Sequence, residues 1–152
     1  MSRAEKAKEY FTQGYACSQA VALAFADVMG MQEADIAKIM LPFGGGMGRL
    51  RLTCGAVSGM AMVIGKLCAG AENTPENKAD TYALTRELCT KFQEECGSLI
   101  CAELLEAMNV PAEVGGTPEA RTQEYYKKRS CAEIVYAAAK IVENHLQEKG
   151  IL

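Results

Sequence analysis

Glycine and proline cut this sequence into segments whose apolar residues recur at helical spacing, and no stretch alternates β-branched residues as a strand would. The first segment covers about residues 3–13 and stops at Gly14. The second covers 17–29, with Ala20, Val21, Ala24, Phe25 and Val28 as its apolar stripe. A third, 33–41, ends at Pro42, and the glycine-rich run Phe43-Gly44-Gly45-Gly46-Met47-Gly48 follows as a loop. A fourth helix is predicted over 53–68, stopping near Gly70. Thr74 caps a long fifth helix with Pro75 at its first position, and that helix ends at Gly97. Ser98 is the expected cap of a sixth helix reaching about Met108. Thr117-Pro118-Glu119 repeats the cap-then-proline signal for a seventh, and Ser130 with Glu133 forms a capping box for an eighth running to about Lys149. With no internal repeat and no linker, the pattern predicts an all-α, single-domain helical bundle of about seven to eight helices over residues 1–152.

Composition excludes several classes. At 152 residues, with 49% hydrophobic and 23% charged, the chain carries enough apolar surface for a real core and is not disordered. A net charge of -3 without any basic block argues against nucleic acid as a partner. The nearly uncharged stretch 52–65 is too short and too interrupted by glycine to cross a bilayer, so no membrane association is expected. The opening Met1-Ser2-Arg3-Ala4-Glu5-Lys6 is followed by no apolar run of the secretory kind. The expected location is cytoplasmic.

Seven cysteines are many for such a chain. In a reducing compartment their abundance points to metal binding or redox chemistry, against the alternative that each is a small core hydrophobe. Their predicted positions divide them. Cys17, Cys54, Cys101 and Cys131 fall in the first turn of a helix, where unpaired amides and the dipole favour a thiolate. Cys68, Cys89 and Cys96 fall in middle or last turns, and core packing is their expected role. Each of the first four also lines up with the apolar stripe of its own helix: Cys17 with Val21, Cys54 with Val57, Cys101 with Leu104 and Cys131 with Val135. If those four helix starts meet, they form one sulfur-lined pocket. No pair has C-x-x-C spacing.

Gly55 and Gly59 lie one turn apart on the Cys54 helix, where missing side chains admit a neighbouring helix. The backbone amides of the glycine loop suit an anion, although the loop lacks the Lys-Ser/Thr ending of a phosphate loop. Gly44, Gly45, Gly46 and Gly55 are therefore the candidate cofactor contacts, with easier approach to Cys54 as the loop's expected use. His145, the only histidine, sits about four turns beyond Cys131 and is expected at the surface. No Ser-His-Asp or H-E-x-x-H arrangement supports hydrolysis.

Phe43-Gly44-Gly45-Gly46-Met47-Gly48-Arg49 followed by Cys54-Gly55-Ala56-Val57-Ser58-Gly59 resembles the redox-active family named for its cysteine pattern, C_GCAxxG_C_C. Gly14-Tyr15-Ala16-Cys17-Ser18-Gln19-Ala20-Val21 is similar to that family's first cysteine segment, and Gly97-Ser98-Leu99-Ile100-Cys101-Ala102-Glu103-Leu104-Leu105 to its third. Cys131 matches the fourth. The resemblance covers nearly the whole chain and implies redox activity at those cysteines, with no established substrate. The sequence departs from it in two ways. Thr53 precedes Cys54 where the family name places glycine, and Arg51-Leu52 replaces a Gly-Glu pair common just before that cysteine, which removes support for an acidic residue beside the site.

Two functional readings follow. In the first, two of the four cysteines cycle between dithiol and disulfide with a redox partner, protein or small molecule, of unidentified kind. Cys54 is then the expected attacker and Cys17 the resolver. In the second, Cys17, Cys54, Cys101 and Cys131 hold a metal, either zinc or an iron–sulfur cluster, as an electron carrier. A cofactor is thus required only by the second reading, and either is compatible with a homo-oligomer.

Overall fold

The computed structural model describes all 152 residues. Nine α-helices follow one another: α1 (Arg3–Thr12), α2 (Cys17–Leu23), α3 (Ala26–Met29), α4 (Glu33–Met40), α5 (Gly55–Cys68), α6 (Pro75–Cys96), α7 (Cys101–Ala107), α8 (Gln123–Lys128) and α9 (Cys131–Glu148). A 3-10 turn, Leu41–Phe43, follows α4, and an isolated antiparallel bridge joins Thr53 to Ile100. The fold is all-α, as the helical spacing predicts. No helix is long and apolar enough to cross a membrane.

One cluster of 29 buried residues forms the core. α9 lies along α1 and also meets α2, α5 and α6, while α2 packs along α5. Phe11, Phe25, Met60, Phe92, Val135, Val142 and Leu146 are almost wholly enclosed. Burial of each such side chain contributes about 1.5–3 kcal/mol relative to exposure.

Local chemistry sets most boundaries. Ser2 and Glu5 form a reciprocal capping box on α1, with the Glu5 amide donating to Ser2 Oγ at 3.1 Å and the Ser2 amide to Glu5 Oε2 at 2.7 Å. Thr74 caps α6 through the Asn77 amide at 3.1 Å, with Pro75 at the first position, and Gly97 ends it at φ 99°.

Four expectations are corrected. The second predicted helix breaks at Ala24–Phe25, because Arg3 takes the Ala24 carbonyl at 3.1 Å and sits over the Phe25 ring, which raises the helix count to nine. Ser98 does not cap α7; it accepts from the Ile100 amide at 3.0 Å and donates to Glu103 at 2.5 Å. Thr117-Pro118 starts no helix, since Arg49 holds the Thr117 carbonyl and Arg129 holds Glu119; α8 waits for Thr122, which accepts from the Tyr125 amide. Ser130 makes no side-chain cap on α9, and Glu133 instead reaches Lys8 on α1 at 2.5 Å.

Candidate functional site

Cys17, Cys101 and Cys131 are the first residues of α2, α7 and α9, and Cys54 is the residue that caps α5. All four line one cavity of about 80 Å3, together with Gly45, Gly46, Gly55, Arg51, Arg121, Tyr125 and Arg129.

Three packing devices bring the four helix starts together. The first is the glycine face of α5. A Cβ on Gly55 would lie 3.0 Å from the Ser18 amide and 3.4 Å from Cys17 Cβ; one on Gly59 would lie 2.8 Å from Val21 Cβ. Helices α2 and α5 therefore approach more closely than any side chain would allow, with Cys17 and Cys54 at the same end. The second device is the Thr53–Ile100 bridge. The Cys54 amide donates to the Leu99 carbonyl at 2.8 Å, and the Cys101 amide to the Leu52 carbonyl at 2.6 Å. The third is α9, whose contacts with α2 and α5 deliver Cys131.

The glycine loop forms one wall. Gly45, Gly46, Met47, Gly48 and Arg49 all have positive φ, between 54° and 73°, so the chain makes a left-handed turn. A Cβ on Gly46 would sit 2.7 Å from Cys101 Cβ and 2.7 Å from the Leu52 nitrogen. The amides of Gly44 and of residues 47 to 52 all donate within the loop, to carbonyls of residues 41 to 47. Those amides are spent on shaping the turn. Gly45, Gly46 and Gly55 border the thiol cavity, whereas Gly44 borders a neighbouring chamber.

Three guanidinium groups line the same cavity. Arg51 Nη1 lies 3.7 Å from Cys101 Sγ, while its Nε donates to the Glu113 carbonyl at 2.8 Å. Arg121 donates to the Phe11 and Tyr15 carbonyls at 3.1 Å and stacks over the Phe11 and Tyr125 rings, 4.5 and 4.7 Å from their centres. Arg129 pairs with Glu119 at 2.7 Å and covers Tyr125 at 4.2 Å.

These charges distinguish the thiols. Cys131 is held below the ordinary thiol value, first by the neighbouring Cys17 thiol and then by Arg129, Arg121 and Arg51, against the cost of burial. Cys17, facing that thiolate and enclosed, is pushed well above it. The contact between the two thiols lowers Cys131 and raises Cys17, and the guanidinium groups favour the same order. Burial pushes Cys54 up to about 12, despite the Ala56 and Val57 amides. Cys101 is raised by burial too, with Arg51 opposing. Of the four, Cys131 alone is lowered, whereas Cys54, the expected attacker, is raised and 5% exposed, with Gly45 and Gly46 on the wall of the cavity it lines.

Cys68, Cys89 and Cys96 pack, half-buried, against the core, away from this cavity. His145 is 5% exposed, not at the surface; it faces a cleft between α5 and α6 that also contains Cys68 and Leu84. All seven cysteines are free thiols. No three His, Cys, Asp or Glu side chains converge as a metal-holding group. The four cysteines line a shared cavity.

Sequence reasoning missed the arginines. Arg51 stood out only as a departure from the family pattern. Arg121 and Arg129 bracket α8 just before Cys131, and that placement is the signal that could have found them.

Fold and site together define a helical thiol protein in which four helix-start cysteines share an arginine-lined cavity. The sequence pattern of one family, described as "Putative redox-active protein (C_GCAxxG_C_C)", matches residues 15–145. The chain belongs to the C_GCAxxG_C_C family. No curated protein and no solved structure matches it.

Proposed function

We propose that this protein carries out thiol–disulfide exchange, with Cys131 as the attacking thiolate and Cys17 as the resolving thiol. The supporting observation is that Cys131 shares one cavity with three further thiols and three guanidinium groups. The family description supports a redox role in general terms.

The chemistry balances with a disulfide as oxidant. The Cys131 thiolate attacks one sulfur, the substrate S–S bond breaks, and a thiolate leaves while a mixed disulfide forms. Cys17 gives its proton to that leaving thiolate and attacks the Cys131 sulfur. A Cys17–Cys131 disulfide forms, and the second substrate thiolate departs. Two electrons pass from the protein dithiol to the substrate. Guanidinium groups that hold the Cys131 thiolate also stabilise the departing one. Zinc or iron–sulfur binding has no converged set of sulfurs to favour it.

The test is trapping. Cys17→Ser protein treated with a small disulfide should accumulate a mixed disulfide at Cys131, identified by peptide mass mapping. Cys131→Ser should accumulate none there and should lose the rapid exchange phase. A mixed disulfide on Cys54 or Cys101 in the Cys17→Ser variant would end the assignment of Cys131.

A further inference from the structure

Next to the thiol cavity is a second, larger space of about 330 Å3, walled by Arg49, Arg51, Arg121 and Arg129 with the Gly44–Gly45 backbone. Arg51, Arg121 and Arg129 line both spaces, so they form a partition between two adjoining cavities. Four of the six arginines of a chain with net charge -3 gather here. One carboxylate, Glu119, lines the chamber, and it pairs with Arg129. Arg49, Arg51 and Arg121 are held by the carbonyls of Thr117, Glu113, Phe11 and Tyr15 and have no carboxylate partner. Carbonyls fix a guanidinium's direction without cancelling its charge. Three oriented positive charges therefore surround a space that the rest of this acidic chain does not neutralise.

We propose that this chamber binds a small carboxylate-bearing molecule, and that the disulfide reduced at Cys131 is of that class. Planar guanidinium groups match carboxylates through paired hydrogen bonds, which a lysine-lined space would not offer. The volume is at the lower end of ordinary ligand sites, which suits a small molecule. A carboxylate at Arg49 would place the rest of a short chain at the partition, where the thiol cavity begins. The substrate class rests on the exchange reading; the anion site does not.

Three small disulfides of similar length separate the two claims. They are 3,3′-dithiodipropionate, bis(2-hydroxyethyl) disulfide and cystamine, carrying negative, zero and positive charge. Exchange rates with the reduced full-length protein are divided by the rates of the same disulfides with free 2-mercaptoethanol. The anionic probe should be favoured over the neutral one by about tenfold or more, and 1 M salt should erase most of that advantage. Arg49→Gln, which lines the chamber and not the thiol cavity, should lower the anionic-to-neutral ratio. In parallel, calorimetry with suberate, the all-carbon counterpart of dithiodipropionate, reads binding without chemistry. Suberate binding that weakens in Arg49→Gln supports the anion site even if no disulfide reacts, an outcome that sinks the exchange reading alone. Exchange that ignores probe charge, or an absence of suberate binding to the wild-type chain, overturns the chamber proposal and leaves exchange standing.

Discussion

The two groups of cysteines differ in burial and, more tellingly, in surroundings. Cys68, Cys89 and Cys96 are half-buried on α5 and α6, and burial is the leading cause that raises each thiol. Cys17, Cys54, Cys101 and Cys131 are at helix starts, yet three of these four are raised as well. Only Cys131 is lowered, first by the Cys17 thiol and then by Arg129, Arg121 and Arg51. A helix start therefore does not by itself make a thiolate in an enclosed site. Amides and dipole contribute on the order of 1 kcal/mol, and desolvation outweighs them at Cys54 and, even with Arg51 close by, at Cys101.

Alkylation rates at neutral pH test this contrast most strongly. A thiol near 12 is ionised in about one part in 10⁵ at pH 7, whereas an ordinary thiol near 8.5 reaches about one in 30. The weaker nucleophilicity of the more acidic thiolate offsets part of that gap, leaving Cys131 about 30-fold or more ahead of Cys54. Mass-spectrometric labelling of reduced protein measures the ratio. Equal rates would mean that the arginines do not set the order.

Glycine substitutions compare the loop before α5 with the far end of that helix by packing. Gly46→Ala forces a side chain onto a residue at φ 73°, against the Leu52 backbone and Cys101, and should cost roughly 1–3 kcal/mol in denaturant unfolding. Gly65→Ala, toward the Cys68 end, meets nothing within 4 Å and should stabilise by up to about 1 kcal/mol. A neutral Gly46→Ala would show that the loop is not fitted against Cys101.

Alkaline stability sharpens the comparison. Folded Cys54 keeps its proton to about 12, while the unfolded chain releases it near the ordinary value of about 8.5. Its contribution is complete below about 8.5 and falls as pH rises toward 12, by at most about 1.4 kcal/mol per pH unit. Urea midpoints measured over that range should fall less steeply in Cys54→Ala. Cys131 has the opposite sign: its contribution is present above about 8.5 and is lost as pH falls through its lowered folded value. The smallest effect is expected at Cys89→Ser, which should leave exchange rates unchanged because Cys89 does not line the thiol cavity.

Local chemistry made much of the fold legible. The Thr74-Pro75 start and Gly97 stop of α6, and the placement of four cysteines at helix starts, are written in neighbouring residues. Failures came where distant partners intervened. Arg3 breaks the second helix from 21 residues away, and Arg49 holds Thr117 across 68. The Thr53–Ile100 pairing joins segments that contain no strand pattern. The order of the thiols was hidden for the same reason: helix position is readable from sequence, whereas enclosure of Cys54 and the arginines around Cys131 arise from the assembled fold.

The four cysteines come from stretches tens of residues apart, and that separation has a kinetic consequence. Closing such long loops is entropically slow, so the cavity is completed late in folding, after local helices have formed. Until then each sulfur is exposed with the acidity of a free thiol, and Cys54 is as open to oxidants as Cys131. The chain is most vulnerable to wrong pairing while it is being made, and the finished fold ends that vulnerability by ranking its thiols.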